Sequence, residues 1–175
     1  MYLSTVQASF GTLFILADHE AVCAVTTKKP DTNAGENELS RQAARELGEY
    51  LAGKRTVFDV PVMPKGTDFQ RAVWRALLKI PYGQTRSYQQ IAHALGKPAA
   101  VRAVANAIGK NPVWILIPCH RVIGKGGALT GYAGGLPMKK ALLELEAASE
   151  SRRLQHCLIH PTDLHSFGFL NSFLI

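Results

Sequence analysis

Apolar and polar positions alternate along YLSTVQASFGTLFILADHEAVCAVTTKK (2–29), with breaks at Phe10-Gly11 and at Asp18-His19-Glu20. A period of two with β-branched residues predicts two or three strands joined by tight turns. PDTNAGEN (30–37) is a polar loop. Its last residue, Asn37, is placed to cap a helix running to about Ala52, whose i, i+4 stripe is Leu39, Ala43, Leu47 and Leu51. Gly53 follows as a stop. TVFDVPV (56–62) reads as one more short strand and MPKGT (63–67) as a linker. Residues 1–64 are therefore expected to form a small α/β unit, an antiparallel sheet plus a helix.

The period changes at Asp68. Phe69, Ala72, Val73, Ala76, Leu77 and Ile80 form a helical stripe with Thr67 or Asp68 as cap, and Pro81-Tyr82-Gly83 breaks it. In SYQQIAHALG, Ser87 and Gln90 have capping-box spacing and Gly96 sits where a helix would end. PAAVRAVANAIGKN restarts a helix with Pro98 near its first turn. Two short helices joined by a glycine-containing turn are the pattern of a helix-turn-helix. On the second of them Val101, Val104, Ala105 and Ile108 are expected to face the core. Arg102, Ala103, Asn106 and Lys110 lie on the other side. Ala103 beside Arg102 leaves room for the backbone to approach a groove while the arginine projects. Plain helix propensity also accounts for the alanines.

Charge strengthens the groove reading. Residues 65–125 hold ten Lys/Arg and one acid, Asp68, for a net charge of +9, and the rest of the chain is −2. A basic segment beside a mildly acidic remainder points to a polyanionic partner; a generally basic, solvated surface is the alternative. No apolar run approaches the ~20 residues of a membrane helix. The N-terminal MYLSTVQASF lacks the pattern of a signal peptide. The three cysteines, Cys23, Cys119 and Cys157, are far apart and odd in number, which suggests a reducing, cytoplasmic setting rather than a disulfide framework. No ligand spacing suggests zinc, and no cofactor is expected.

Candidate chemistry concentrates in VWILIPCHRVI (113–123), an apolar, β-rich run interrupted by Pro118. Proline there suggests a strand end, so Cys119 is expected where a buried strand emerges. A thiolate is a nucleophile that needs a base or a positive field to form near neutral pH. His120 and Arg121 supply both types. Adjacent strand residues point to opposite faces, so a direct Cys119–His120 bond is not expected: either the chain bends after Pro118 or a water bridges sulfur to imidazole. The imidazole also needs an orienting carboxylate, for which MKKALLELE (138–146) offers Glu144 and Glu146. A core cysteine beside a capping histidine is the plainer alternative.

IPCHRVIG, preceded by GKNP and followed by GYAGG and KKALLELE, resembles the O6-alkylguanine-DNA alkyltransferases over residues 66 to about 146. The resemblance implies a ribonuclease-H-like α/β domain over 1–64. It implies a mainly α catalytic and DNA-binding domain with a winged-helix-like helix-turn-helix over 65–146; the resemblance ends there, and 147–175 is expected to be a poorly ordered C-terminal extension. It also implies irreversible transfer of an alkyl group from guanine O6, and for some members thymine O4, to the protein's own cysteine. Cys119 would be the acceptor, His120 its base through a water, and Glu146 the group that orients His120. Asn111 would hold the active-site turn and Tyr88 would lie close to the flipped nucleotide. Arg102 would enter the stack from the minor groove, with Ala103, Asn106, Lys110 and Arg121 beside it as DNA contacts. Tyr132, Ala133 and Gly134 would line the guanine pocket, with Trp114 as a further wall. The implied partner is double-stranded DNA carrying O6-alkylguanine, met by a monomer without metal or membrane.

Two positions depart from relatives: Ala133 stands where some have a serine, and Trp114 where many have a smaller residue. If Trp114 faces the pocket, benzyl adducts should react poorly compared with methyl; a core-filling role is the alternative. A non-catalytic DNA-binding module and a cysteine hydrolase are the competing function classes. Cys119 argues against a relative that only flags lesions, and nothing points to peptide or ester recognition. The tail LQHCLIHPTDLHSFGFLNSFLI carries His156, Cys157, His160 and His165, but no supporting residues that would make a metal site of them.

Overall fold

The computed structural model describes residues 1–159, with side chains described through Arg152. The expected α/β unit consists of strands β1 (Tyr2–Ala8), β2 (Gly11–Ala17) and β3 (Val22–Thr26) in an antiparallel sheet, and helix α1 (Glu38–Leu51). Ala8 pairs with Gly11, so Ser9 and Phe10 form a two-residue hairpin, and Gly11 takes φ +117°, a value that favours glycine. On β2, Leu13, Ile15 and Ala17 alternate into the core with no exposed surface. Asn37 caps α1 by accepting from the Ser40 amide, and Ser40 answers the Asn37 amide. Ala43, Leu47 and Tyr50 bury the inner stripe of α1 against the sheet.

The segment 56–62 is not a strand. Val57 is 68% exposed. The Asp59 and Val60 amides donate to the Glu46 carboxylate instead of to a ladder. Only Val62 bridges, to Val22: the Pro61 carbonyl accepts from the Val22 amide, and the Met63 amide donates to the Val22 carbonyl.

The second part is helical. Thr67 caps α2 (Asp68–Leu77), and Ser87 caps α3 (Tyr88–Ala94), each through a capping box. A 3₁₀ turn at Pro98–Ala100 leads into α4 (Val101–Gly109), which packs on α2 and α3. Short strands β4 (Arg86–Ser87) and β5 (Val122–Ile123) pair in parallel. The loop between β5 and α5 (Leu136–Ile159) lies over the N-terminus of α3, to which Tyr88 ties it. The expected extension from residue 147 begins inside α5, which continues through it to Ile159; residues 160–175, including His160 and His165, lie outside the described residues, as do the side chains of His156 and Cys157.

Both parts share one core. Leu13, Val22, Val25 and Leu47 belong to the same buried cluster as Val73, Leu77, Val104, Ile117 and Leu142. Val25 bridges Val113 across the junction, with the Val25 amide donating to the Pro112 carbonyl at 2.9 Å. Among the described residues no helix is long and apolar enough to cross a membrane.

Candidate active site

The apolar run before Cys119 is a pair of tight turns rather than a strand. Ile115 has φ +71°, and the Leu116 amide donates to the Trp114 carbonyl at 2.8 Å, a γ-turn strained for a β-branched residue. Pro118 (φ −80°, ψ 61°) then makes an inverse γ-turn, with the Cys119 amide donating to the Ile117 carbonyl at 2.8 Å. Asn111, at the end of α4, braces both turns. Its Nδ2 donates to the carbonyls of Val113 (3.4 Å) and Ile117 (3.0 Å), and its Oδ1 accepts from the Val113 amide.

The bend delivers Cys119, His120 and Arg121 into one 3₁₀ turn. At three residues per turn, successive side chains diverge by about a third of a circle instead of alternating. Each therefore reaches different partners. Cys119 is 4% exposed, and Asn111 Nδ2 donates to its sulfur at 3.0 Å. Burial pushes its thiol up to about 11, against the opposing pull of the Asn111 bond and the Lys139 charge.

His120 has no exposed surface. Its Nε2 lies 2.9 Å from Glu146 Oε1 and 3.3 Å from the Tyr50 hydroxyl. Facing a carboxylate, Nε2 carries the proton, which leaves Nδ1 with a free lone pair. Nδ1 is buried without a hydrogen-bond partner among the described residues. Burial lowers the pKa of His120 despite Glu146, so the ring is neutral at pH 7 and able to accept a proton.

Glu146, 1% exposed, accepts from Tyr50 (2.6 Å), His120, the Gly83 amide (2.9 Å), and Nε and Nη2 of Arg121. Burial alone would raise its pKa; the His120 bond, with the charge that ring takes up in acid, and the Arg121 bonds and charge outweigh that and hold it at about 2. Of the two candidate carboxylates, Glu146 meets the imidazole, whereas Glu144 is exposed and pairs with Lys140.

Arg121 corrects the sequence reading. Expected as a DNA contact, it is 6% exposed, and its fork is spent on Glu146 and on the Ile80 carbonyl at 2.7 Å. Arg102, Ala103, Asn106 and Lys110 are exposed on α4. Arg102 lines a cleft of about 470 Å³ together with Tyr88, Val101, Gly131, Tyr132 and Ala133. The Tyr88 hydroxyl donates to the Thr130 carbonyl at 3.1 Å. Trp114 is half-buried, donates to the Asn111 carbonyl at 3.0 Å, and lies 6.1 Å from the Tyr132 ring. Gly134 is wedged behind them: a Cβ there would fall 2.5 Å from Met138 Sδ and 2.9 Å from Tyr132 Cε1.

Two contributors escaped the sequence reading. Tyr50 lies 70 positions before His120 and meets it only through the shared core; its one local signal is its place on the apolar stripe of α1, three after Leu47. Lys139, with no exposed surface, donates to the Val122 and Thr130 carbonyls. It stands seven before Glu146, hence on the same helix face, which was a legible hint. Among the described residues no group of three or more His, Cys, Asp or Glu could hold a metal ion.

Comparison with known proteins identifies the family. Residues 68–148 match the family model described as 6-O-methylguanine DNA methyltransferase, DNA binding domain. A methylated-DNA–protein-cysteine methyltransferase of Methanosarcina acetivorans is 44% identical over 155 residues, 85% of this chain and 99% of that protein. The inducible enzyme of that name from Bacillus subtilis is 62% identical over 108 residues, covering 62% of this chain and 60% of that protein. The crystal structure of Mycobacterium tuberculosis OGT in complex with DNA superposes with a TM-score of 0.78 at 43% identity, over 85% of this chain and 94% of that one. With a cysteine, an imidazole and a carboxylate set around one turn, and with these relatives, the chain belongs to the methylated-DNA–protein-cysteine methyltransferase family.

Proposed function

We propose that the protein repairs duplex DNA by moving the alkyl group of O6-alkylguanine, and by the same chemistry that of O4-alkylthymine, onto Cys119. The observation that carries this reading is the buried Cys119 sulfur beside a histidine whose Nδ1 is open and whose Nε2 is held by Glu146. A thiol at about 11 is almost fully protonated at pH 7, a deficit of roughly 5 kcal/mol in forming the thiolate. A base is therefore required. His120 Nδ1 takes the proton through a bridging water, and Glu146 stabilises the imidazolium that results.

The target oxygen lies inside the duplex, so the base turns out into the cleft below Tyr88 and Arg102. Arg102 enters from the minor groove and fills the gap in the stack. Ala103 allows close approach, and Asn106 and Lys110 meet the backbone. Tyr132, Ala133 and Gly134 hold the guanine, with Trp114 behind Tyr132. The bond from Sγ to carbon forms as the bond from carbon to O6 breaks, and the electron pair stays on O6. Tyr88 donates toward the departing base, and the thiol proton is finally balanced by one taken up on guanine. A thioether has no bond that water cleaves under these conditions, so each molecule acts once.

The protein works as a monomer in the cytoplasm. Residues 65–146 carry the chemistry, and residues 1–64 supply Tyr50 and about a third of the shared core. The test uses duplex DNA with labelled O6-methylguanine, followed by proteolysis. Label on the Cys119 peptide, at no more than one equivalent, is expected; turnover beyond one equivalent, or label left on DNA, would overturn the reading.

A further inference from the structure

A groove of about 490 Å³ lies between α2 and α3. Its floor is apolar: Ala76 comes from α2, Ile80 from the turn after it, and Ile91 and Leu95 from α3 and its C-cap. Three cations line it as well, Arg75, Lys79 and Arg86, and none of its lining residues is acidic. It shares no residue with the cleft of Tyr88 and Arg102.

Other arginines of the chain have carboxylate partners. Arg71 pairs with Asp68, and Arg55 with Glu49 and Asp59. Among the described residues no carboxylate pairs with Arg75, Lys79 or Arg86. Arg75 and Lys79 stand four positions apart at the end of α2, the spacing at which like charges repel. Arg86 donates to the Thr85 carbonyl at 2.8 Å and to Gln84 Oε1 at 3.0 Å. Both acceptors are neutral, so its charge is held in place without being cancelled.

We propose that the α2–α3 groove is a docking site for an acidic amphipathic helix of a partner protein. Apolar residues on one face of that helix fill the floor, and carboxylates beside them pair with Arg75, Lys79 and Arg86, the helix-in-groove mode of recognition. A phosphate backbone would use the three charges but gain nothing from Ile80, Ile91 and Leu95. A second copy of this chain, with its net charge of +7, is a poor match for a cationic rim. The ten residues of α2 span about 15 Å, so the groove takes about three helical turns of the partner. The proposal does not depend on the transfer chemistry at Cys119.

The test uses the full chain without DNA and a fluorescein-labelled helical peptide with Leu at i, i+3, i+4 and i+7 and Glu on the flanking positions, followed by fluorescence anisotropy. A peptide of the same composition in permuted order controls for charge alone. Saturable binding is expected, with the permuted peptide at least about tenfold weaker. Arg75→Glu and Lys79→Glu should each weaken binding of the ordered peptide by about tenfold. Ala76→Phe, which fills the floor and leaves the charges in place, should do the same, with thermal melting to confirm that each variant is folded. Equal affinity for both peptides, or unchanged affinity in both charge variants, overturns the proposal. Two further results would also overturn it by assigning the groove to another occupant. One is weaker duplex binding by Lys79→Glu with peptide binding unmoved. The other is a dimer in sedimentation that Lys79→Glu abolishes.

Discussion

Glu146 shows how much one buried carboxylate organises. Its donors come from α1 (Tyr50), the turn after α2 (Gly83) and the Cys119 turn (His120, Arg121). Its pKa of about 2 lies below the ordinary 4.5. The sign follows: this stabilisation is fully present above pH 4.5 and fades as pH falls toward 2. It amounts to on the order of 3 kcal/mol. Glu146→Gln should flatten the acid limb of the stability–pH curve and, by leaving the Arg121 guanidinium buried and unpaired, cost about 3–5 kcal/mol at pH 7. Urea unfolding across pH reads both, and an acid limb as steep as wild type would refute the assignment. Tyr50→Phe is the gentler probe. It removes a 2.6 Å bond to Glu146 and the contact to His120, and single-turnover transfer should slow by roughly tenfold with about 1–2 kcal/mol of stability lost. The sequence named Cys119 and His120 because they interrupt an apolar run, and it offered Glu144 and Glu146 from MKKALLELE, with Glu146 singled out by the family resemblance. It did not name Tyr50, since an aromatic on a helix stripe looks like any core residue until its hydroxyl finds a partner.

Among the elements, the helices were legible and the active-site run was not. Asn37, Thr67 and Ser87 each carry a side chain that closes a capping box with the residue three ahead; such rules are local and survive without tertiary information. The stretch 113–118 misleads for the opposite reason. Its apolar, β-branched residues favour a strand, yet Ile115 at φ +71° and the turn at Pro118 are imposed by Asn111, the core and the proline. Asn111 thus links the end of α4 to the sulfur. Asn111→Ala should leave the turns without their brace, leave the Ile117 carbonyl short of a donor and remove a hydrogen bond to Cys119. We expect a loss of about 2–3 kcal/mol and a transfer rate at least tenfold lower, by thermal melting and single-turnover assays. Leu→Ala-like stability loss with unchanged transfer would separate the brace from the chemistry. On α4, Arg102→Ala should weaken repair in duplex DNA far more than reaction with the free alkylated base, because only the duplex has a stack to fill. Equal losses on both substrates would contradict the finger role.

For the whole molecule, charge and core lead in different directions. The charge is divided along the chain, with a net of +9 over residues 65–125, so binding to DNA should fall steeply with salt. Lys110→Ala should reduce the slope of log K against log salt by about 0.9, the share of one phosphate contact. The core is not divided. The isolated stretch 65–175 would lose the Val25 partner of Val113, the cluster residues Leu13, Ile15, Val22 and Leu47, and the Tyr50 hydroxyl at Glu146. Chain order suggests two domains, because periodicity changes at Asp68 and a Pro- and Gly-containing link precedes it; the buried cluster shows why that order is a poor guide to cooperativity, since contacts distant in sequence leave no local trace. We therefore expect the full chain to unfold in one calorimetric transition whose van't Hoff and calorimetric enthalpies agree. The stretch 65–175 alone should show no sharp transition, and its Cys119, 4% exposed in the full chain, should react with a thiol reagent as fast as an unfolded cysteine. Two resolved transitions in the full chain, or a protected Cys119 in the isolated stretch, would mean that the catalytic turn is held by the second part alone and that Tyr50 is dispensable to the fold around it.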